Sequence, residues 1–215
     1  MDEKIIVTIG REFGSGGHDV GRKLADRLGI PFYDQELIDR AAQQSGLHKE
    51  YVKDNEEMAP VFNSGAFFTG YDSFTDDPTD AVRNEEFQVI EDIVAEGSCV
   101  IVGRAADFII QDEPHVSVFI FAPIEERARR IKSNPELYKK KMKNADLNET
   151  TLLKTIKSVD KNRRRFYEFY TDDKWGDRDG YDLLINTSRT GIDGAVSIIE
   201  TYINESRGLD IVSDL

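Results

Sequence analysis

Five of the chain's 16 glycines fall between positions 10 and 21, at Gly10, Gly14, Gly16, Gly17 and Gly21. They separate a β-branched run, Ile5 to Ile9, from a stretch whose apolar residues Val20, Leu24 and Leu28 recur every four positions. A strand that turns into a helix through glycines presents backbone N–H groups and the positive end of the helix dipole to an anion. Glycine is required there because φ must turn positive and a phosphate must approach the main chain closely. The same glycines would also serve a tight turn that holds no ligand. The second concentration is of cations. Residues 127 to 165 hold 14 Lys and Arg against four acids, Glu136, Asp146, Glu149 and Asp160, within a chain of net charge −13. Such an island suits a small, strongly anionic ligand, and its other reading is a solvated helix face.

The glycine loop departs from the GxxxxGK[ST] phosphate loop. The lysine of that pattern would fall on Gly17, and the magnesium-binding hydroxyl is replaced by His18 or Asp19. The backbone of Gly14, Ser15, Gly16 and Gly17 can still cradle phosphate, but the missing cation must come from elsewhere. Arg11, His18 and Arg22 are the nearby candidates. If His18 serves, binding should depend on pH near neutrality. Asp19 either holds Mg²⁺ through water or is a first-turn acid that favours the helix dipole.

These groups need a scaffold, and the pattern supplies one. Ile5–Ile9, Phe32–Tyr33, Cys99–Val102, Val116–Phe121 and Tyr181–Asn186 read as strands. Helices are predicted from the glycine loop to Gly29, from Asp34 to about Ser45, over about 48–58, from about Thr79 to Glu96, through about Lys132, over Glu149–Tyr170, and along Ile192, Val196, Ile199 and Ile203. Asp34 is a natural N-cap. NPELYKKKMKNADLNE reads as a connection. Residues 59–80 read as a long loop with Phe62, Phe67, Phe68, Tyr71 and Phe74, which either contact a ligand base or fasten the loop to the core. Five buried strands alternating with helices predict an α/β fold, a five-stranded parallel sheet with helices on both faces.

Composition limits the function. A net charge of −13 argues against a nucleic-acid binder or an anionic-membrane binder. The apolar runs have only about seven residues, short of the ~20 of a membrane span. One cysteine, Cys99, excludes an intrachain disulfide and argues against a zinc site; it reads as a buried apolar residue. With no secretory pattern at the N-terminus, a cytoplasmic location is expected. Trp175 and Tyr170 read as packing residues, and His48 and His115 as structural.

Four segments, taken in order, resemble a known family: GREFGSGGHDVGRKLADRLGIPFYDQELI, CVIVGRAADFII, FAPIEERARRI and DKNRRRFYEFYTDDKWGDRDGYDLLINTS. The chain resembles the cytidylate kinases, and more closely the cytidylate kinase-like group of bacterial P-loop proteins, over roughly residues 4 to 205. The resemblance implies a P-loop nucleoside monophosphate kinase-like fold in one domain spanning 1–215. Its core would be 1–33, 97–133 and 172–207, its monophosphate-binding insert about 34–96, and its arginine-rich lid about 134–171. Position by position, it implies that Gly14, Ser15, Gly16 and Gly17 hold the ATP phosphates, and the reading of the loop adds Arg11, His18 and Asp19 as cofactor-binding candidates. Asp34, Arg40, Gly103 and Arg104 would bind the acceptor. Arg104, Arg127, Arg130, Asp160 and Arg163 would act in transfer, Asp160 and Arg163 being the best fit to an Asp-x-x-Arg step. The family's Gly-Arg-Asp reads Gly103-Arg104-Ala105, with Asp107 as a substitute for the missing carboxylate. At least two of Arg127, Arg130, Arg163 and Arg164 are expected to face the cleft.

The expected activity is ATP-dependent phosphoryl transfer to a nucleoside monophosphate, CMP or dCMP, with Mg²⁺. The partners are small nucleotides rather than nucleic acid or membrane. A kinase of another small metabolite, or a nucleotide-binding protein without turnover because the loop lysine is absent, are the competing readings.

Overall fold

The protein is described by a computed structural model over residues 4–35, 37–38, 78–142 and 148–210. Five strands form one parallel sheet: β1 (Ile6–Arg11), β2 (Phe32–Asp34), β3 (Cys99–Val102), β4 (Val116–Phe121) and β5 (Leu183–Asn186), in the order β2-β3-β1-β4-β5. The strands are β-branched because both faces are covered. Val7, Ile9, Val100, Val102, Val118 and Ile120 point to one face, and Ile6, Cys99 and Ile101 to the other. The first face packs on α1 (Gly17–Leu28) and α7 (Thr187–Asp210) through Val20, Leu24, Val196 and Ile199, all fully buried. The second packs on α2 (Pro78–Glu96) and α3 (Ala106–Ile109) through Ile90, Val94 and Ala106. Each such aliphatic side chain contributes about 1.5–3 kcal/mol by leaving water.

Register brings the site's two strand ends together. Ile9 pairs with Val102, so Gly103-Arg104 leaves β3 beside Gly10-Arg11, the last residues of β1, which are still paired with β4. β1 feeds α1 and then β2 on one side, whereas the chain after β3 crosses to β4 on the other. Adjacent strands that diverge in this way open a crevice beyond their carboxyl ends, where α/β sheets bind ligands.

Three helices build a layer over that end: α4 (Ile124–Ser133), α5 (Pro135–Met142) and α6 (Glu149–Tyr170). α4 and α6 share a small core, Phe13, Ala128, Ile131, Leu152 and Ile156, so the phosphate loop itself contributes Phe13 to it. Asn148 starts α6 by accepting the Thr151 N–H at 2.9 Å.

Several boundaries differ from expectation. The stretch after Asn134 contains a helix, α5, rather than a plain connection; Pro135 is its first residue and Glu136 lies in its first turn, both favourable at a helix start. The last strand begins at Leu183, not Tyr181, because the Asp182 carboxylate accepts from the Ser117 N–H at 2.7 Å and from its hydroxyl at 2.9 Å. That side chain takes a bond the ladder would have used. The final helix starts at Thr187 and is broken at Gly191, whose φ is 67°. The helices predicted over 34–45 and 48–58 and the aromatic loop at 59–80 fall, almost wholly, outside the described residues. Among the described residues no helix is long and apolar enough to cross a membrane.

Candidate active site

The phosphate loop runs from the end of β1 to the start of α1. Gly14 and Gly16 have φ of 78° and 87°, values that suit glycine, and Gly16 is the N-cap of α1. No side chain caps this helix. Its opening N–H groups, at Gly17, His18 and Asp19, have no intrahelical acceptor, as at any helix start. Ser15 is fully buried, and its hydroxyl donates back to the Glu12 carbonyl at 2.8 Å, so it shapes the turn.

Guanidinium groups hold the loop from its carbonyl side. Arg127 donates to the Phe13 carbonyl at 3.3 Å, Arg130 to the Gly14 carbonyl at 2.8 Å, and Arg163 to the Arg11 carbonyl at 3.1 Å. Arg127 is buried and also binds Asp160 at 2.5 Å and lies 3.5 Å from Glu12. The other oxygen of Asp160 accepts the Phe13 N–H at 2.7 Å. This Glu12–Arg127–Asp160 cluster therefore braces the loop's shoulder at Phe13, four residues ahead of the helix start. Burial raises the Glu12 pKa above its ordinary value.

Of the four arginines expected in the cleft, only Arg163 lines it. Arg127 is turned into the brace, Arg130 sits on Gly14 and Thr187, and Arg164 lies over the Trp175 ring at 5.9 Å. The cleft beyond β1 and β3 is lined by Gly10, Arg11, Gly103, Arg104, Asp107 and Arg163, with aromatic walls from Phe166, Tyr167, Trp175 and Tyr181. Three guanidiniums thus converge on one crevice. Arg104 lies over the Phe166 ring and Arg163 over Phe13, each at 5.8 Å, which fixes their planes. Arg104 also faces Glu86 at 3.4 Å, with both side chains 8% exposed. The cavity is small, about 30 Å³, or roughly one water.

The turn after β3 is unusual. Gly103, Arg104 and Ala105 are consecutive left-handed residues, with φ of 88°, 62° and 50°. Only glycine adopts that conformation readily; each of the other two costs about 1–2 kcal/mol. Asp107, in the cleft at the start of α3, accepts from the Tyr167 hydroxyl at 2.7 Å, and burial pushes its pKa up.

His18 and Asp34 meet at 2.9 Å, which ties the first turn of α1 to the end of β2. Asp34 also accepts the Leu37 N–H at 3.1 Å, in the manner of an N-cap. Arg40 lies outside the described residues. Asp19 and Asp34 together raise the His18 pKa above 6.5, and His18 in turn holds Asp34 down at about 2. The His18 contribution to stability is complete below pH 6.5 and fades as pH rises through the raised value; the Asp34 contribution is complete above pH 3.8 and fades as pH falls toward about 2. The pair therefore supports the fold best between those two ordinary values. Asp34→Asn, which keeps the cap, should return the His18 imidazole titration toward 6.5 and flatten the melting temperature between mildly acidic and alkaline pH. Proton NMR of the His18 ring, assigned with His18→Gln, measures this, and an unmoved titration would contradict it.

Two site features escaped the sequence reading. Glu86, the partner of Arg104, stands in the middle of α2 with no motif around it. The brace role of Arg127 and Asp160 spans 33 residues and belongs to the fold of α4 against α6. Cys99, the first residue of β3, is buried with its thiol pushed up to about 11, as befits an apolar role. His115 bonds the Glu113 carbonyl at 2.8 Å.

A parallel sheet of this order, a glycine loop entering α1 and an arginine-lined crevice at the strand ends define a P-loop kinase fold. The model of the cytidylate kinase-like family matches residues 6–189, and the chain belongs to that family. A cytidylate kinase of Pyrococcus horikoshii is 26% identical over 213 residues, 99% of this chain and 93% of the relative. One from Saccharolobus islandicus is 25% identical over 201 residues, 93% of this chain and 91% of the relative. Among solved structures, an uncharacterized protein of Eubacterium ventriosum has a TM-score of 0.69 at 29% identity, covering 94% of this chain and 99% of its own. A shikimate kinase of Bacteroides thetaiotaomicron, with a TM-score of 0.55 at 14% identity and coverage of 94% and 99%, shares the fold. Family and fold together make this a nucleoside monophosphate kinase-like enzyme.

Proposed function

We propose that the protein transfers the γ-phosphoryl group of ATP to a nucleoside monophosphate, with CMP or dCMP as acceptor. The observation that carries this reading is the convergence of Arg11, Arg104 and Arg163 on the crevice beside the glycine-rich start of α1. ATP and a monophosphate together bring roughly six negative charges, and their transfer needs positioning and charge compensation more than covalent help. An acidic chain can meet that demand only with a local cluster of cations, and arginine forks suit phosphate oxygens.

In this reading the opening N–H groups of α1 take donor phosphate, and Asp34, Arg40 and Arg104 take the acceptor. Asp19, in the first turn of α1, is held below the ordinary carboxylate range chiefly by its hydrogen bond from His18. Its oxygens suit a donor-bound Mg²⁺ reached through water. Arg127 and Asp160 act by holding the loop, Arg130 by steadying Gly14, and Arg163 by joining the cleft to the Arg11 carbonyl. Residues 34–96 form the acceptor insert and about 134–171 the lid. α6 brings Arg163, Phe166 and Tyr167 to the cleft, the placement of a lid that opens to admit substrate and closes for transfer.

An ADP-coupled assay with ATP and a panel of CMP, dCMP, UMP, AMP and non-nucleotide hydroxy acids tests this. The expected result is ADP formation fastest with CMP or dCMP. ATP binding without ADP from any acceptor would leave a nucleotide-binding protein instead.

A further inference from the structure

We propose that Arg11 replaces the lysine missing from the phosphate loop, delivering its cation from the end of β1 instead of from the start of α1. The inference deepens the kinase reading and rests on it for its catalytic meaning.

The loop lysine of GxxxxGK[ST] is the first residue of the helix. Here that residue is Gly17, and a Cβ on it would lie 2.5 Å from Arg11 Cβ, 3.1 Å from Arg11 Cγ and 3.2 Å from Ile120 Cβ. Non-bonded carbons sit about 3.5–4.0 Å apart. The position has therefore not simply lost a lysine. The volume through which a lysine stem would leave the main chain is filled by the stem of Arg11.

The same side chain demands a second glycine at the other end. A Cβ on Gly103 would lie 2.0 Å from an Arg11 terminal nitrogen and 2.8 Å from its Cζ. Gly17 in one segment and Gly103 in another thus both clear the path of a single arginine. The path starts against the helix end that opens the phosphate seat and finishes in the crevice with Arg104 and Arg163.

The other nearby cations do not line that crevice. His18 points to Asp34, Arg22 lies over the Phe32 ring at 4.8 Å, Arg130 is bound to Gly14 and Thr187, and Arg127 is inside the brace. Arg163 donates to the Arg11 carbonyl at 3.1 Å, so the backbone that launches Arg11 is itself held from the lid side.

The test uses the full chain and inorganic tripolyphosphate, titrated by calorimetry, with transfer to CMP as a second readout. Arg11→Met keeps the stem and removes the charge; it should weaken tripolyphosphate binding by at least about ten-fold, as loss of a charge-assisted hydrogen bond does. Arg11→Lys should recover most of that loss. Gly17→Lys in the otherwise native chain should not strengthen binding, because its stem has no room, whereas Arg11→Gly with Gly17→Lys should bind better than Arg11→Gly alone. Thermal melts identify any variant that fails to fold, and the Met and Lys variants, which fill the same space, carry the comparison. Equal tripolyphosphate affinity in the native chain and Arg11→Met, or a native chain that does not bind tripolyphosphate, overturns the inference. A native chain that binds tripolyphosphate through Arg11 but forms no ADP with any acceptor leaves the inference standing and removes the kinase reading.

Discussion

Arg104→Lys is expected to lower phosphoryl transfer roughly 10²-fold while moving the melting temperature little. The lysine keeps a positive charge opposite Glu86, so the buried pair survives, but it loses the planar fork that can grip two phosphate oxygens. Alanine is the poorer probe. Glu86 is 6% exposed, and removing Arg104 would take a counter-charge away from a buried carboxylate at a cost of about 3–5 kcal/mol. Arg104→Ala combined with Glu86→Gln separates the two effects: folding recovers and transfer does not. The case for Arg104 rests on backbone as much as on charge. Two adjacent non-glycine residues, Arg104 and Ala105, are held at positive φ. Such conformations persist where surrounding structure enforces them, commonly at ligand sites. Here they turn the guanidinium back over Phe166 into the crevice. A lysine variant with native kcat at matched stability would remove Arg104 from the transfer step.

The parts of the fold that were readable are those set by local rules. Cys99–Val102 and Val116–Phe121 are apolar runs bounded by Gly97, Gly103 and Pro123, and their strands have those bounds. Gly29 ends α1 in the left-handed conformation, with its N–H on the Ala25 carbonyl. The sheet order and the meeting of Gly10 with Gly103 follow from crossover geometry and could be foreseen only in outline. What local pattern misled on was direction. EERAxR identifies where Arg127 and Arg130 lie in the chain, yet whether a guanidinium faces solvent, a phosphate or a neighbouring carboxylate depends on packing between α4 and α6. Glu12 and Asp160, far apart in sequence, draw Arg127 inward. The absent lysine is the converse case. Arg11, His18 and Arg22 are all candidates from sequence, and the steric filling of the Gly17 and Gly103 positions by Arg11 is a property of the fold that favours it.

Asp160→Ala is expected to destabilise the protein by about 3 kcal/mol or more, through two losses at once. Among the described residues Arg127, 8% exposed at its side chain, then keeps only Glu12 at 3.5 Å as a counter-charge. The Phe13 N–H loses its acceptor in a loop whose residues are buried from Phe13 to Gly17. For a chain of this size each kcal/mol corresponds to roughly 2–4 °C, so the melting temperature should fall by about 6–12 °C. Asp160→Asn should lie between, since its carbonyl oxygen can still accept from Phe13 while the charge facing Arg127 is gone. Because Phe13 shares its core with Ile131 and Ile156, loosening the loop also loosens α4 against α6. Hydrogen exchange should therefore accelerate in both helices together and leave the α1–α7 face of the sheet protected. A melting temperature within a degree or two of native, or accelerated exchange confined to the loop, would show that the Glu12–Arg127–Asp160 cluster is an ornament of the surface and not what couples the phosphate loop to the helices above it.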